Sequence, residues 1–116
     1  MTESPIFAKT YDFILWLLPH TRKFPKEQRF SMAQRLEDTA FAFQDLILRA
    51  AKTKSPRRFL VEADIELDKL RFQIRLCLDL NLLSPKQYEF AATQIVEIGK
   101  LLGGWLKKTT ATSTSA

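Results

Sequence analysis

The chain has one cysteine, one histidine and three glycines among its 116 residues. Each scarcity excludes a class of chemistry. Cys77 on its own forms no intramolecular disulfide and no cysteine zinc site, and a buried small hydrophobe is its simplest role. His20 on its own builds no histidine metal site, and nothing around it in sequence supports a catalytic role. There is no glycine-rich phosphate loop and no recognisable DNA-reading motif. Glu62, Asp64 and Glu66 lack an accompanying Glu-x-x-His, so they read as an exposed acidic face rather than a carboxylate metal site. Neither a cofactor nor enzymatic activity is expected.

Long apolar runs are missing too. The longest, Phe13 to Leu18, is flanked by Asp12 and Pro19 and falls far below the roughly 20 residues of a membrane helix. Met-Thr-Glu-Ser at the start carries no basic segment ahead of an apolar one, so no secretion signal and a cytoplasmic location are expected. No segment alternates with period two, and no strand is expected.

What is present is a helical pattern. At 116 residues and 46% hydrophobic content the chain suits one domain with one core, and is too apolar for disorder. Ser4-Pro5, Phe24-Pro25, Ser55-Pro56 and Ser84-Pro85 each place proline where a helix starts, its missing N–H costing nothing there. Three of these pairs put serine at the N-cap position, and Ser84 with Gln87 has capping-box spacing. The second helix, 25–52, repeats Ala33, Leu36, Ala40, Phe43, Ile47 and Ala50. The third, 56–81, repeats Leu60, Ala63, Leu67, Leu70, Ile74 and Cys77. The fourth, 85–107, repeats Tyr88, Ala91, Ile95, Ile98, Leu102 and Trp105. The first, 5–22, is shorter, with Phe7, Tyr11, Ile14 and Leu18. Alternating steps of three and four describe a packing seam, and short connections make successive helices antiparallel. The expected fold is all-α, an up-down-up-down four-helix bundle over 1–108, with a disordered tail at 109–116.

Hydrophobic residues exceed the needs of one seam. Phe13, Trp16, Leu17, Phe30, Phe41, Phe59, Ile65, Phe72, Leu76, Phe90, Val96 and Leu101 fall outside it on several faces. A monomer rarely exposes so much apolar surface, so a homo-oligomer is expected. Gly99 and Gly103, four apart on the fourth helix, let another helix approach, with Trp105 beside them as a packing surface. The alternative is that Gly103-Gly104 ends or kinks the helix.

The net charge is +5, and its clustering carries the functional hint. Arg49, Lys52, Lys54, Arg57 and Arg58 surround the second connection with no acid among them. Arg22, Lys23, Lys26 and Arg29 surround the first, diluted by Glu27. In an up-down bundle the two groups lie at opposite ends. Cations suit a helix C-terminus, which accounts for Arg22, Arg49 and Lys52. Arg57 and Arg58 begin a helix, where positive charge is disfavoured, and so point to an anionic partner. Arg71 and Arg75 share one face of the third helix, and form either an ion-pair ladder with Asp68 and Asp79 or a guanidinium surface for phosphate or carboxylate.

Phe24-Pro25-Lys26 with Arg29, Arg35-Leu36-Glu37, Leu67-Asp68-Lys69-Leu70-Arg71, Leu83-Ser84-Pro85-Lys86-Gln87-Tyr88 and Ile98-Gly99-Lys100-Leu101-Leu102-Gly103-Gly104-Trp105 are family-like segments. With them, residues 6 to 108 resemble the accessory variability determinant proteins of diversity-generating retroelements. Those belong with the four-helix-bundle proteins encoded by intervening sequences in large ribosomal RNA genes. The resemblance implies a basic homopentameric barrel with a central channel, binding RNA and DNA without strong sequence preference. It also implies association with the element's reverse transcriptase in mutagenic cDNA synthesis. On that reading both terminal cation groups meet nucleic acid, Arg71 and Arg75 meet the partner protein, and Gly99, Gly103 and Trp105 pack the oligomer; no membrane partner is expected. The other reading is a helical homo-oligomeric scaffold whose basic surface meets acidic proteins and no nucleic acid.

Overall fold

The computed structural model describes the backbone of residues 4–115 and the side chains of residues 4–109. Four helices occur: α1 (Pro5–Thr21), α2 (Gln34–Ala51), α3 (Arg57–Asp79) and α4 (Pro85–Ser115). They form an antiparallel bundle 52 Å long and 23 Å across, and no strand occurs among the described residues. α3 packs most heavily on α2 and then on α4, while α1 packs on both α2 and α4, so α1 and α3 are diagonal.

Every seam residue expected on the second and third helices is buried, from Ala33 to Ala50 and from Leu60 to Cys77. On α4, Ala91, Ile95, Ile98 and Leu102 are buried, and Tyr88 and Trp105 pack partly buried at the seam's ends. The first helix departs from expectation. Its buried stripe is Ile6, Thr10, Phe13, Ile14, Leu17 and Thr21, whereas Tyr11 is exposed and Phe7 and Leu18 are partly buried. Two threonines sit on the inner face and break the apolar period. The Thr21 hydroxyl bonds Glu37 Oε2 of α2, which locks the register of the two helices. The Thr10 hydroxyl is buried without a partner among the described residues. Phe13 and Leu17 therefore leave the list of surplus hydrophobes.

The second helical segment is irregular where it begins. Pro25 starts a 3-10 turn, Lys26–Gln28, followed by a π turn, Arg29–Ala33, before α2 proper. The wider turn carries Phe30 outward, to 88% exposure, while Ala33 still reaches the core. Of the expected serine caps, one forms: Ser84 Oγ accepts from the Gln87 N–H and Gln87 Oε1 from the Ser84 N–H. Ser4 is an N-cap without a side-chain bond. Pro56, not Ser55, holds the N-cap position of α3.

α3 ends in a Schellman turn. Asn81 adopts φ 62°, the Leu82 N–H bonds the Cys77 carbonyl, and the Asn81 N–H bonds the Leu78 carbonyl. α4 continues unbroken through Gly103 and Gly104 and past Lys107, so those glycines do not end the helix. Thr109 is buried within it. The remainder of the expected disordered tail, 110–116, lies outside the described side chains.

Candidate nucleic-acid interface

The antiparallel path places the end of α2, the start of α3 and the later turns of α4 at one end of the bundle. Arg49, Lys52, Lys54, Arg57 and Arg58 are all exposed there. Among the described residues, Arg49, Lys52 and Lys54 make no ion pair. Arg57, expected from its place at a helix start to point to an anionic partner, has a contact within the fold as well. Its Nη1 lies 3.3 Å from Thr109 Oγ1 and 3.5 Å from the Leu106 carbonyl, so it ties the first turn of α3 to α4. The Arg58 guanidinium lies over the Phe59 ring, 5.1 Å from its centroid, which keeps the charge at the surface on an aromatic support.

The same topology brings Lys107 and Lys108, both exposed, to this end of the bundle. Lys107 closes the fourth helix expected at 85–107, so the up-down topology implied this end for it, although the local run of cations did not include it. Seven cations thus gather within one end, and among the described residues Arg49, Lys52, Lys54 and Lys107 have no ion-paired acid.

Arg22, Lys23, Lys26 and Arg29 are exposed at the opposite end, as the topology requires. Lys86, in the first turn of α4, joins them there. The end of α1 also carries an aromatic stack. The His20 ring packs on Trp16 at 4.1 Å between centroids, its Nδ1 lies 2.7 Å from the Trp16 carbonyl, and Trp16 meets Phe90 of α4 at 5.1 Å.

Arg71 and Arg75 are exposed on α3 but engaged. Arg71 pairs with Asp68 and Arg75 with Asp79, the latter at 3.4 Å, which is the ladder arrangement. Such exposed pairs contribute little to stability, so a partner carboxylate can compete for either arginine. Gly99 serves this helix pair: a Cβ there would stand 2.7 Å from Arg71 Nη2, so the absence of a side chain lets Arg71 lie against α4. Gly103 is different, being exposed with nothing within 4 Å of a built Cβ. Trp105 is partly buried and meets Phe7 edge-on at 6.3 Å, closing α4 over the start of α1. The structure therefore gives Gly99, Gly103 and Trp105 three separate surroundings within the chain.

Among the described residues no group of three or more His, Cys, Asp or Glu side chains is placed to hold a metal ion. Glu66 pairs with Lys69 at 2.9 Å. Burial pushes the Cys77 thiol up to about 11, in keeping with an inert core position. No helix is long and apolar enough to cross a membrane among the described residues.

The fold places the chain among small four-helix bundles, here with exposed cations gathered at one end. The chain belongs to the bAvd-like family, the bacterial accessory variability determinants, whose pattern it matches over residues 6–109. Its fold is also that of a crystallised Bacteroides thetaiotaomicron protein of unknown function from the S23 ribosomal protein family. That likeness has 21% identity, covers 92% of this chain and 99% of the other, and has a TM-score of 0.82. No curated protein matches the chain.

Proposed function

We propose that the chain is a non-enzymatic accessory protein that binds RNA and DNA through its basic end. In this reading it associates with a retroelement reverse transcriptase as a homo-oligomer, a pentamer by the family resemblance, and supports mutagenic cDNA synthesis. The observation that carries the nucleic-acid part is the concentration of exposed cations around Lys52, Lys54 and Arg58, with Lys107 added by the fold. Like charges held this close repel one another, and a phosphate backbone relieves that repulsion while releasing its own counterions. Membership of the bAvd-like family supports the retroelement context. Contacts of this kind position a strand without reading bases, so low sequence preference follows.

Fluorescence anisotropy with unrelated RNA and DNA oligonucleotides across a salt series tests the reading. For duplex DNA the log–log salt slope is about −0.9 per phosphate neutralised, so Lys52→Ala with Lys54→Ala and Arg58→Ala flattens it by nearly three units. Affinity falls by similar factors on every sequence. An unchanged slope and affinity would show that the cluster is solvated surface. Co-purification with the reverse transcriptase, wild type against Arg71→Ala with Arg75→Ala, tests the second partner; equal recovery would remove that pair from the docking face.

A further inference from the structure

α3 carries apolar residues on both its faces. Opposite its buried seam, Val61, Ile65, Phe72 and Leu76 form an outward stripe, with Phe72 75% exposed. The stripe adjoins a groove of about 1000 Å³ between the π turn, α2 and α3, where Phe30, Met32, Ala42 and Leu76 supply apolar lining. Gln73 lines the same groove. Its Nε2 donates to Thr39 Oγ1 at 3.0 Å, which fixes the groove's inner wall, and its Oε1 is buried without a partner among the described residues. The groove's charges balance, Arg35 against Asp38 and Lys69 against Glu66, in a chain that is otherwise strongly basic. A polyanion gains nothing there, and a protein surface does.

A second apolar patch occupies the other flank of α2. Glu37 of α2 bonds Thr21 of α1, and Phe41 and Leu48 follow Glu37 on that same face at helical spacing. Antiparallel register sets them beside Tyr11 and Leu15, which share a face of α1; all four are exposed.

We infer that these two unlike surfaces meet between copies of this chain. The α3 stripe and α2–α3 groove of one copy receive the Tyr11, Leu15, Phe41 and Leu48 patch of the next. This rests on the homo-oligomer in the function proposed above and names the surfaces that make it. The areas agree with such a contact. Phe30, Ile65, Phe72 and Leu76 expose on the order of 400 Å² of apolar surface. A stable interface buries about 800 Å² per partner, of which somewhat over half is non-polar. Unlike surfaces on different flanks make a head-to-tail contact, which propagates from copy to copy and closes into a ring when the rotation permits.

The test uses two variants of the full chain, Phe72→Glu and Leu15→Glu, each on an exposed side chain and each checked for helix content by circular dichroism. Light scattering is expected to give a multiple of 13.4 kDa for the wild type and 13.4 kDa for either variant alone. Mixed in equal amounts, the variants retain one intact surface each and form a dimer of twice that mass. A wild type that is monomeric at every concentration overturns the inference. So does either variant keeping the wild-type mass, or a mixture that stays monomeric. Oligonucleotide binding by the monomeric variants is read separately, so loss of assembly is distinguished from failure of the basic end to bind.

Discussion

Arg57 Nη1 and Thr109 Oγ1 stand 3.3 Å apart across 52 positions of sequence, joining the first turn of α3 to α4. Thr109 Oγ1 also donates to the Leu106 carbonyl at 2.6 Å, so its oxygen stays available as an acceptor for the guanidinium. An arginine at a helix start, unfavourable by the helix dipole alone, is thereby held by a neighbouring helix.

Arg57→Ala is therefore expected to act first on stability. Loss of hydrogen bonds at a partly solvated site costs about 1 kcal/mol, measured by urea unfolding with circular dichroism. The salt slope of oligonucleotide binding should move less than in Lys54→Ala, whose side chain has no ion pair among the described residues. If Arg57→Ala flattens the slope as much as Lys54→Ala and leaves stability unchanged, its tie to α4 is incidental.

Much of the fold is legible in sequence because α2, α3 and α4 place apolar residues at steps of three and four against good helix formers. α1 is less so, because Thr10 and Thr21 take core positions, leaving Tyr11 outward and Phe7 and Leu18 only partly buried. The cations at the second connection were readable as a local run. Lys107 and Lys108 stand outside that run, and the antiparallel return of α4 brings them to the same end. The groove beside Phe30 escaped as well, because no local signal announces a π turn.

Asn81 holds the left-handed conformation that closes α3, and asparagine tolerates it better than other residues with a Cβ. Asn81→Gly should be neutral or slightly stabilising. Asn81→Ala should cost about 1 kcal/mol in urea unfolding, the penalty of a left-handed Cβ. Equal midpoints for the two variants would mean that the turn relaxes to another conformation.

Cys77 supplies a pH dependence with a definite sign. The thiol titrates near 9.0 when unperturbed and is pushed up to about 11 by desolvation in the core. The unfolded chain thus releases this proton at lower pH than the folded one. The contribution is fully present below pH 9 and is lost as pH rises towards 11. Cys77→Val should flatten the fall in stability over that window relative to wild type. In the native protein at neutral pH, a thiol reagent should react with Cys77 only as fast as the chain opens. Rapid labelling under native conditions would contradict the burial.

Gly103 and Gly104 give the last expectation, because they separate the two places where copies could meet. Each lies inside α4 with nothing within 4 Å of a built Cβ, so a methyl group has room at either position. Alanine replaces glycine in a helix with a gain of about 1 kcal/mol, from the backbone freedom the unfolded chain no longer loses. Gly103→Ala and Gly104→Ala should each raise the urea midpoint, and light scattering should show the wild-type mass, since the α3 stripe and the Tyr11 patch lie elsewhere. Gly99→Ala should gain less, because its Cβ displaces the Arg71 guanidinium and weakens the pair with Asp68. A fall in assembly for Gly103→Ala, with the helix itself stabilised, would instead bring a second copy's helix against α4 at that glycine and move the contact away from α3.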